Sequence, residues 1–183
     1  MNMNDAFIGS LIFKGGGGGS PKPSPTIISE TDLIPVKPAD NTNIIYSGIS
    51  YSAQPYRAFD GDINTPWISD FTKTADARYI GYKFSQPVIC NKYKIGYNNS
   101  GSYFAGQKPV LWTFQGSNDD GATWDNIYVD SWLEKVDPGA PVYHEMCFNN
   151  EQAYKWYRFL IYATGSEGYC IISEITMYEV LYG

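Results

Sequence analysis

The chain's 183 residues suffice for one compact domain with a sizeable core and a few tens of residues beyond it. Sixteen Tyr, nine Phe and five Trp, a charged fraction of 17%, and scattered Gly and Pro favour short strands and turns over long helices, so an all-β fold is expected. A net charge of −6 offers no basic surface to a nucleic-acid backbone or an anionic membrane and argues against both as partners.

The opening segment, "MNMNDAFIGSLIFKGG", lacks a basic n-region, carries Asp5, and has an apolar run too short and interrupted for a signal peptide. No stretch approaches the roughly 18 apolar residues that span a bilayer. Phe7, Ile8, Leu11, Ile12 and Phe13 are too few for a core but enough to seat in a partner, so residues 1–14 read as an anchoring peptide. Residues 15–38 begin with five consecutive glycines and continue through Pro-spaced positions, which reads as a flexible joint followed by a stiffer spacer.

Residues 39–183 read as the folded domain. In "YIGYKF" Ile80, Tyr82 and Phe84 share one face; in "KYKIGY" Tyr93, Ile95 and Tyr97 share one face with Lys92 and Lys94 opposite. "WTFQG" alternates again, "KWYRFLIYA" is apolar on both faces, and "CIISEITMYEV" closes the chain as a long strand. Asn118-Asp119-Asp120-Gly121 and Asp137-Pro138-Gly139 mark turns between these runs. With no helical stripe and no internal repeat, a β-sandwich is the expected architecture. Cys90, Cys147 and Cys170 show no metal-binding spacing, and their odd number argues against a complete disulfide framework; all three are expected to be small buried hydrophobes.

One acidic loop stands out, "RAFDGDINTPW", Arg57 to Trp67. Asp60, Asp62 and Asn64 alternate as ligands do in an EF-hand, but Thr65 stands where that loop needs glycine, Phe71 where it needs glutamate, and no helices flank it. Either the loop is capped by its own hydrogen bonds, or it is a cage of oxygens around a hard cation.

"AFDGDINTPWIS", "ARYIGYKFSQPVICNKYKI", "KPVLWTFQGSNDDGATWDNI", "AYKWYRFLIY" and "IISEITMYE" follow one another as in the discoidin family, also called the factor V/VIII type C domain, which includes the family 32 carbohydrate-binding modules. The resemblance covers about residues 41–181 and implies a jelly-roll sandwich of about eight strands that binds without catalysis. It also implies a structural calcium ion held by the Arg57 carbonyl, Asp60, Asp62, Thr65, the Ser173 carbonyl and Glu174. Such an all-oxygen set suits calcium and is poor for thiol- and imidazole-seeking metals.

In that family, variable loops at one rim hold the ligand; here these are residues 51–56, 69–78, 98–108 and 163–169. Sugar recognition needs a flat aromatic against the C–H face of the ring and planar polar groups for its hydroxyls. Phe71, Tyr103, Phe104 and Tyr169 are candidates for the first, and Asp70, Arg78 and Asn99 for the second. No bulky apolar pair flanked by basic residues marks a membrane-entering spike, so membrane insertion is not expected.

Nothing points to an enzyme. His144, the single histidine, stands three residues from Cys147 in a strand, which sends their side chains to opposite faces. No P-loop is present, and no carboxylate pair can be placed in glycosidase geometry. The layout of sticky peptide, glycine joint, proline spacer and lectin-like domain resembles a bacteriophage fibre or capsid-decorating protein. The expected role is therefore adhesion to a host-surface glycan by a virion protein assembled in the host cytoplasm, anchored through a capsid or tail protein. The alternatives are structural decoration through protein contacts without sugar binding, and a bacterial extracellular location. A homo-oligomer is compatible with either role.

Overall fold

A computed structural model describes residues 26–71, 78–98, 106–134, 140–166 and 168–183, with Asp70 and Phe71 as backbone only. The anchoring residues Phe7, Ile8, Leu11, Ile12 and Phe13, and the rim residues Asn99, Tyr103 and Phe104, lie outside the described residues.

The described residues form eleven strands: β1 (Ile27–Asp32), β2 (Ile44–Tyr46), β3 (Trp67–Phe71), β4 (Arg78–Val88), β5 (Lys92–Asn98), β6 (Pro109–Ser117), β7 (Asp125–Ser131), β8 (Pro141–Cys147), β9 (Tyr154–Thr164), β10 (Gly168–Ile172) and β11 (Glu174–Tyr182). Their only helical element is a 3-10 turn over Pro55–Phe59. A four-stranded sheet, in order β1-β11-β5-β8, faces a five-stranded sheet, in order β2-β4-β9-β6-β7, and β3 pairs with β10 in a separate ribbon. All pairings are antiparallel. This is the expected all-β jelly-roll sandwich; short edge strands and the ribbon raise the strand number above eight.

Period-two alternation decides which side chains meet between the sheets. From β5, Tyr93, Ile95 and Tyr97 point inward; from the opposite sheet come Ile80, Trp112, Phe114, Tyr157, Phe159 and Ile161, all buried. The Tyr93 ring lies 5.2 Å from Phe114, 5.4 Å from Phe148 and 4.9 Å from Phe159, so one residue touches both layers. Its hydroxyl donates to Asp130 Oδ2 (2.6 Å) and accepts from Trp112 Nε1 (3.0 Å), while His144 Nε2 sits 2.8 Å from the same Asp130 oxygen. Burial opposes the charge on Asp130, but the bonds from His144 and Tyr93 outweigh it and hold its pKa below the ordinary carboxylate range. His144 thus serves a core network, and Cys147 faces away on the same strand.

Three expectations need correction. Residues 27–32, read as linker, form β1 against β11, and Ile34 is core; the β-branched run "TII" outweighs the surrounding prolines once β11 offers an open edge. Lys92, read as opposite the buried face, is itself buried, because Glu30 of β1 and Glu145 of β8 close on its ammonium at 2.6 and 2.8 Å. Cys147 is exposed, unlike Cys90 and Cys170, because it ends an edge strand.

Tyr93→Phe keeps the ring but removes an acceptor from the Trp112 N–H and a donor from Asp130, leaving both partners under-satisfied in the core. We expect a loss of about 1–3 kcal/mol in urea unfolding; a change under about 0.5 kcal/mol would show that the network adds nothing to stability.

Candidate functional site

The sequence "PYRAF" starts with proline, which presets the first turn of the 3-10 helix, and Ala58 and Phe59 are fully buried beneath it. Arg57 lies in its last turn and Asp60 ends it. The chain then reverses at Gly61, whose φ of +83° is a left-handed conformation that a side chain would strain. Trp67, fully buried, closes the loop and donates from Nε1 to the Gly48 carbonyl at 3.2 Å.

Within the loop the acids accept bonds from their neighbours. Asp60 accepts from the Asp62 N–H (2.8 Å) and the Thr65 hydroxyl (2.7 Å). The Asp62 carboxylate accepts from the backbone and side-chain amides of Asn64 (3.0 and 2.9 Å), and its carbonyl from the Thr65 N–H (3.0 Å). Asn64 in turn accepts from the Asn98 amide at 3.0 Å, and the Asn98 N–H donates to the Ser173 hydroxyl at 3.0 Å.

Glu174 is different. Its Oε2 accepts from the Gly61 N–H at 2.8 Å, which ties the loop to the start of β11, while its Oε1 is buried without a hydrogen-bond partner. Burial is the main cause that pushes its pKa up to about 8; Asp60 adds to this, whereas the Gly61 N–H and the Lys37 ammonium oppose it. A buried carboxylate oxygen with no donor of its own, near enough to Asp60 to feel its charge, fits a hard cation with oxygen preference. Thr65 joins Asp60 through its hydroxyl, and Glu174 meets the same loop at the Gly61 N–H. The carboxylate of Asp62 faces Asn64 instead, and among the described residues no three His, Cys, Asp or Glu side chains gather as a metal cluster.

The rim lies at the other end of the β3–β10 ribbon. Tyr169 on β10 pairs with Asp70 of β3, and Gly168 with Phe71, so the backbones of these three candidate ligand residues are adjacent. Arg78, half-buried, begins β4 opposite Ile161. Beside Tyr169 stands Tyr51, 69% exposed. The two rings are 5.1 Å apart at 54°, and their hydroxyls are 2.7 Å apart. Tyr51 and Ser52 both have positive φ, 54° and 58°, which is uncommon for residues with a side chain and costs of order 1 kcal/mol each. The only signal for Tyr51 in the sequence was its place in a rim loop; the pairing joins positions 118 residues apart. Gly165 packs so closely against the Gly106 carbonyl that a Cβ would lie 2.4 Å from its oxygen, which fixes the loop that carries Tyr169 against the start of β6.

Compared by sequence, the chain matches no protein-family model and no curated protein. Compared by structure, it superposes on chitosan-binding module 1 from a chitosanase/glucanase of Paenibacillus sp. IK-5, with TM-score 0.57 and 24% identity over 77% of this chain and 97% of that one. It also superposes on the family 32 module of C. perfringens NanJ in complex with galactose, at TM-score 0.61 and 14% identity over 82% and 100% of the two chains. A third match is the family 32 module of AlyQ in complex with 4,5-unsaturated mannuronic acid, at TM-score 0.59 and 14% identity over 74% and 93%. At these identities the likeness is one of fold: the described domain has the discoidin-like architecture of family 32 carbohydrate-binding modules.

The buried carboxyl of Glu174 makes a pH prediction for the chain in chelator. Because its folded pKa is raised from 4.5 to about 8, the folded state holds the proton more tightly. That contribution is complete below pH 4.5 and disappears as pH rises toward 8. Glu174→Gln should flatten this slope and, without divalent cation, raise stability at pH 8 by about 1–3 kcal/mol. An unchanged slope in thermal melts from pH 5 to 8 would show that Glu174 is not the group responsible.

Proposed function

We propose that the chain is a non-catalytic carbohydrate-binding module that holds a surface glycan at the Tyr51–Tyr169 rim and is attached through its N-terminal peptide to a virion. The observation that carries this reading is the hydroxyl-linked pair of exposed Tyr51 and half-buried Tyr169 at the tip of the ribbon in a family 32-type sandwich. Two tilted rings offer an apolar face for pyranose C–H groups, and their hydroxyls offer donors and acceptors to the sugar's own. The backbone strain at Tyr51 and Ser52 suits a site whose shape is set before the ligand arrives. The solved structures in complex with galactose and with 4,5-unsaturated mannuronic acid make a sugar the natural ligand class. Attachment through Phe7, Ile8, Leu11, Ile12 and Phe13 to a capsid or tail protein would present many copies together, so a weak single site suffices by avidity.

The reading includes a structural calcium ion. Asp60, Thr65 and Glu174, with carbonyls of the loop and of Ser173, would hold it, and Asp62 would have to turn from Asn64 to join them. The bound charge would neutralise a cluster that is otherwise costly to bury.

The test is a glycan array probed with the full chain in multivalent form. Binding by the wild type and loss of about tenfold or more on Tyr51→Ala or Tyr169→Ala are expected. A blank array from a folded, calcium-loaded chain would replace adhesion by structural decoration through protein contacts. For the ion, saturating calcium is expected to raise the melting temperature by about 5–10 °C, corresponding to roughly 2–3 kcal/mol. Glu174→Gln should abolish that rise, and a wild-type melt indifferent to calcium and chelator would remove the ion from the reading.

A further inference from the structure

The outer face of the five-stranded sheet, away from the rim and the core, carries an unusual arrangement of cations and aromatics. On β9 the inward residues are Tyr157, Phe159 and Ile161, so Trp156 and Arg158 point outward. Gly81 of β4, opposite Arg158, places no side chain between Tyr79 and Lys83, and a Cβ there would lie 2.7 Å from the Arg158 Cα. The Arg158 guanidinium lies 3.9 Å from the centre of the Trp124 ring and 5.2 Å from that of Tyr79. Its Nε donates to Gln115 Oε1 at 2.7 Å, and Gln115 is fixed in turn by its own amide donating to Asn126 at 2.6 Å.

Flanked by the Trp124 and Tyr79 rings and pinned through Nε, Arg158 has lost its rotamer freedom without being neutralised. Burial draws its pKa down, and only the Tyr79 and Tyr162 hydroxyls oppose the shift; the guanidinium remains charged at any physiological pH. Lys83 caps the neighbouring Trp156 ring at 5.3 Å, and Trp156 stands 6.5 Å from Trp124. Lys83, Lys155 and Trp156 also line a hollow of about 510 Å³ at the end of the same strands, together with Asn43 and Asp120. Among the described residues no carboxylate pairs with Arg158, Lys83 or Lys155, whereas Lys37 holds one and Lys92 two. In a chain of net charge −6, Arg158 and Lys83 stand unpaired on one aromatic-lined face, and Lys155 lies beside it in the hollow at the strand ends.

We propose that this face is a second ligand site, separate from the rim, that binds an acidic polysaccharide through its sugar carboxylates. A carboxylate is planar and matches the two terminal nitrogens of a guanidinium held in place, while Lys83 and, in the adjoining hollow, Lys155 meet further carboxylates of the polymer. The exposed parts of Trp156 and Trp124 supply flat surface for the sugar rings between them. The site is independent of the Tyr51–Tyr169 rim, since Trp156 and Thr164, at opposite ends of β9, are about 25 Å apart along the strand.

The experiment is affinity electrophoresis of the full chain through gels containing polygalacturonate, fully methyl-esterified polygalacturonate, or dextran sulfate. Retardation is expected in the first gel and not in the second, whose carboxylates are blocked. Lys83→Gln/Lys155→Gln, whose side chains are not core, should weaken it at least tenfold with an unchanged melting temperature. Arg158→Lys, which keeps the charge but loses the fork, should do the same. Tyr51→Ala/Tyr169→Ala should leave it intact. Retardation abolished by the rim variant would place the acidic sugar at the rim and overturn the second site while sparing the first. Equal retardation by dextran sulfate that survives Arg158→Lys would reduce the face to unspecific charge, and no retardation by polygalacturonate would overturn the proposal outright.

Discussion

The bond from the Gly61 amide to the buried carboxylate of Glu174 is the constraint that fixes the acidic loop and the root of the β3–β10 ribbon. Burying a carboxyl with one oxygen unpartnered is unfavourable by itself, and a fold retains such a group only when something around it compensates. Here the compensation is geometric as well as electrostatic. The bond joins residue 61 to residue 174, so it closes a loop that spans most of the domain and fixes where β3 and β11 begin relative to each other. Glycine at position 61 takes, without the strain a side chain would bring, the left-handed turn that aims its N–H at that carboxylate.

From this knot the β3–β10 ribbon runs outward. β3 leaves the loop at Trp67 and reaches the rim at Phe71; β10 returns from Gly168 to Ile172, one residue short of Ser173 and Glu174. Tyr169 is thus four residues upstream of the cluster's Ser173, on a paired strand rather than a free loop. A second tie runs from Asn64 through Asn98 to Ser173, which brings β5 into the same unit. The loop and the rim are therefore joined through paired strands, although no side chain of the first approaches the second among the bonds described.

Much of the sandwich was legible because the physical signal was local. Tyr93, Ile95 and Tyr97 alternate with polar residues, and alternation is the direct expression of a strand with one buried face. What escaped depended on partners far along the chain. The burial of Lys92 comes from Glu30 and Glu145, on strands that flank β5 only in the folded sheet. β1 was hidden by the prolines around it, since its order comes from β11 rather than from its own sequence. "KWYRFLIYA" read as apolar on both faces; one face is core, and the other places Arg158 between aromatic rings, a role that composition alone cannot distinguish from packing. The oxygens of the acidic loop were readable, but not that Asp62 would turn toward Asn64 while Glu174 would keep an unpaired atom.

The two proposed ligand surfaces follow different physical rules, and the fold separates them for that reason. A rim of tyrosine hydroxyls works by short contacts and shape, so it belongs where loops can vary without disturbing the core. A locked guanidinium needs a rigid support on which its neighbours cannot relax away, and the middle of a five-stranded sheet provides it through Gln115 and Trp124 on adjoining segments. Arg158 also shows why overall charge is a poor guide to partners. The net charge of −6 weighs against a nucleic-acid backbone, but recognition depends on the field at one face, and on this one Arg158 and Lys83 stand over aromatic rings without a carboxylate partner. A module attached to a larger particle gains from such a division. In the proposed arrangement the cations of the sheet would hold an acidic polymer at short range, and the rim would select among the sugars within reach.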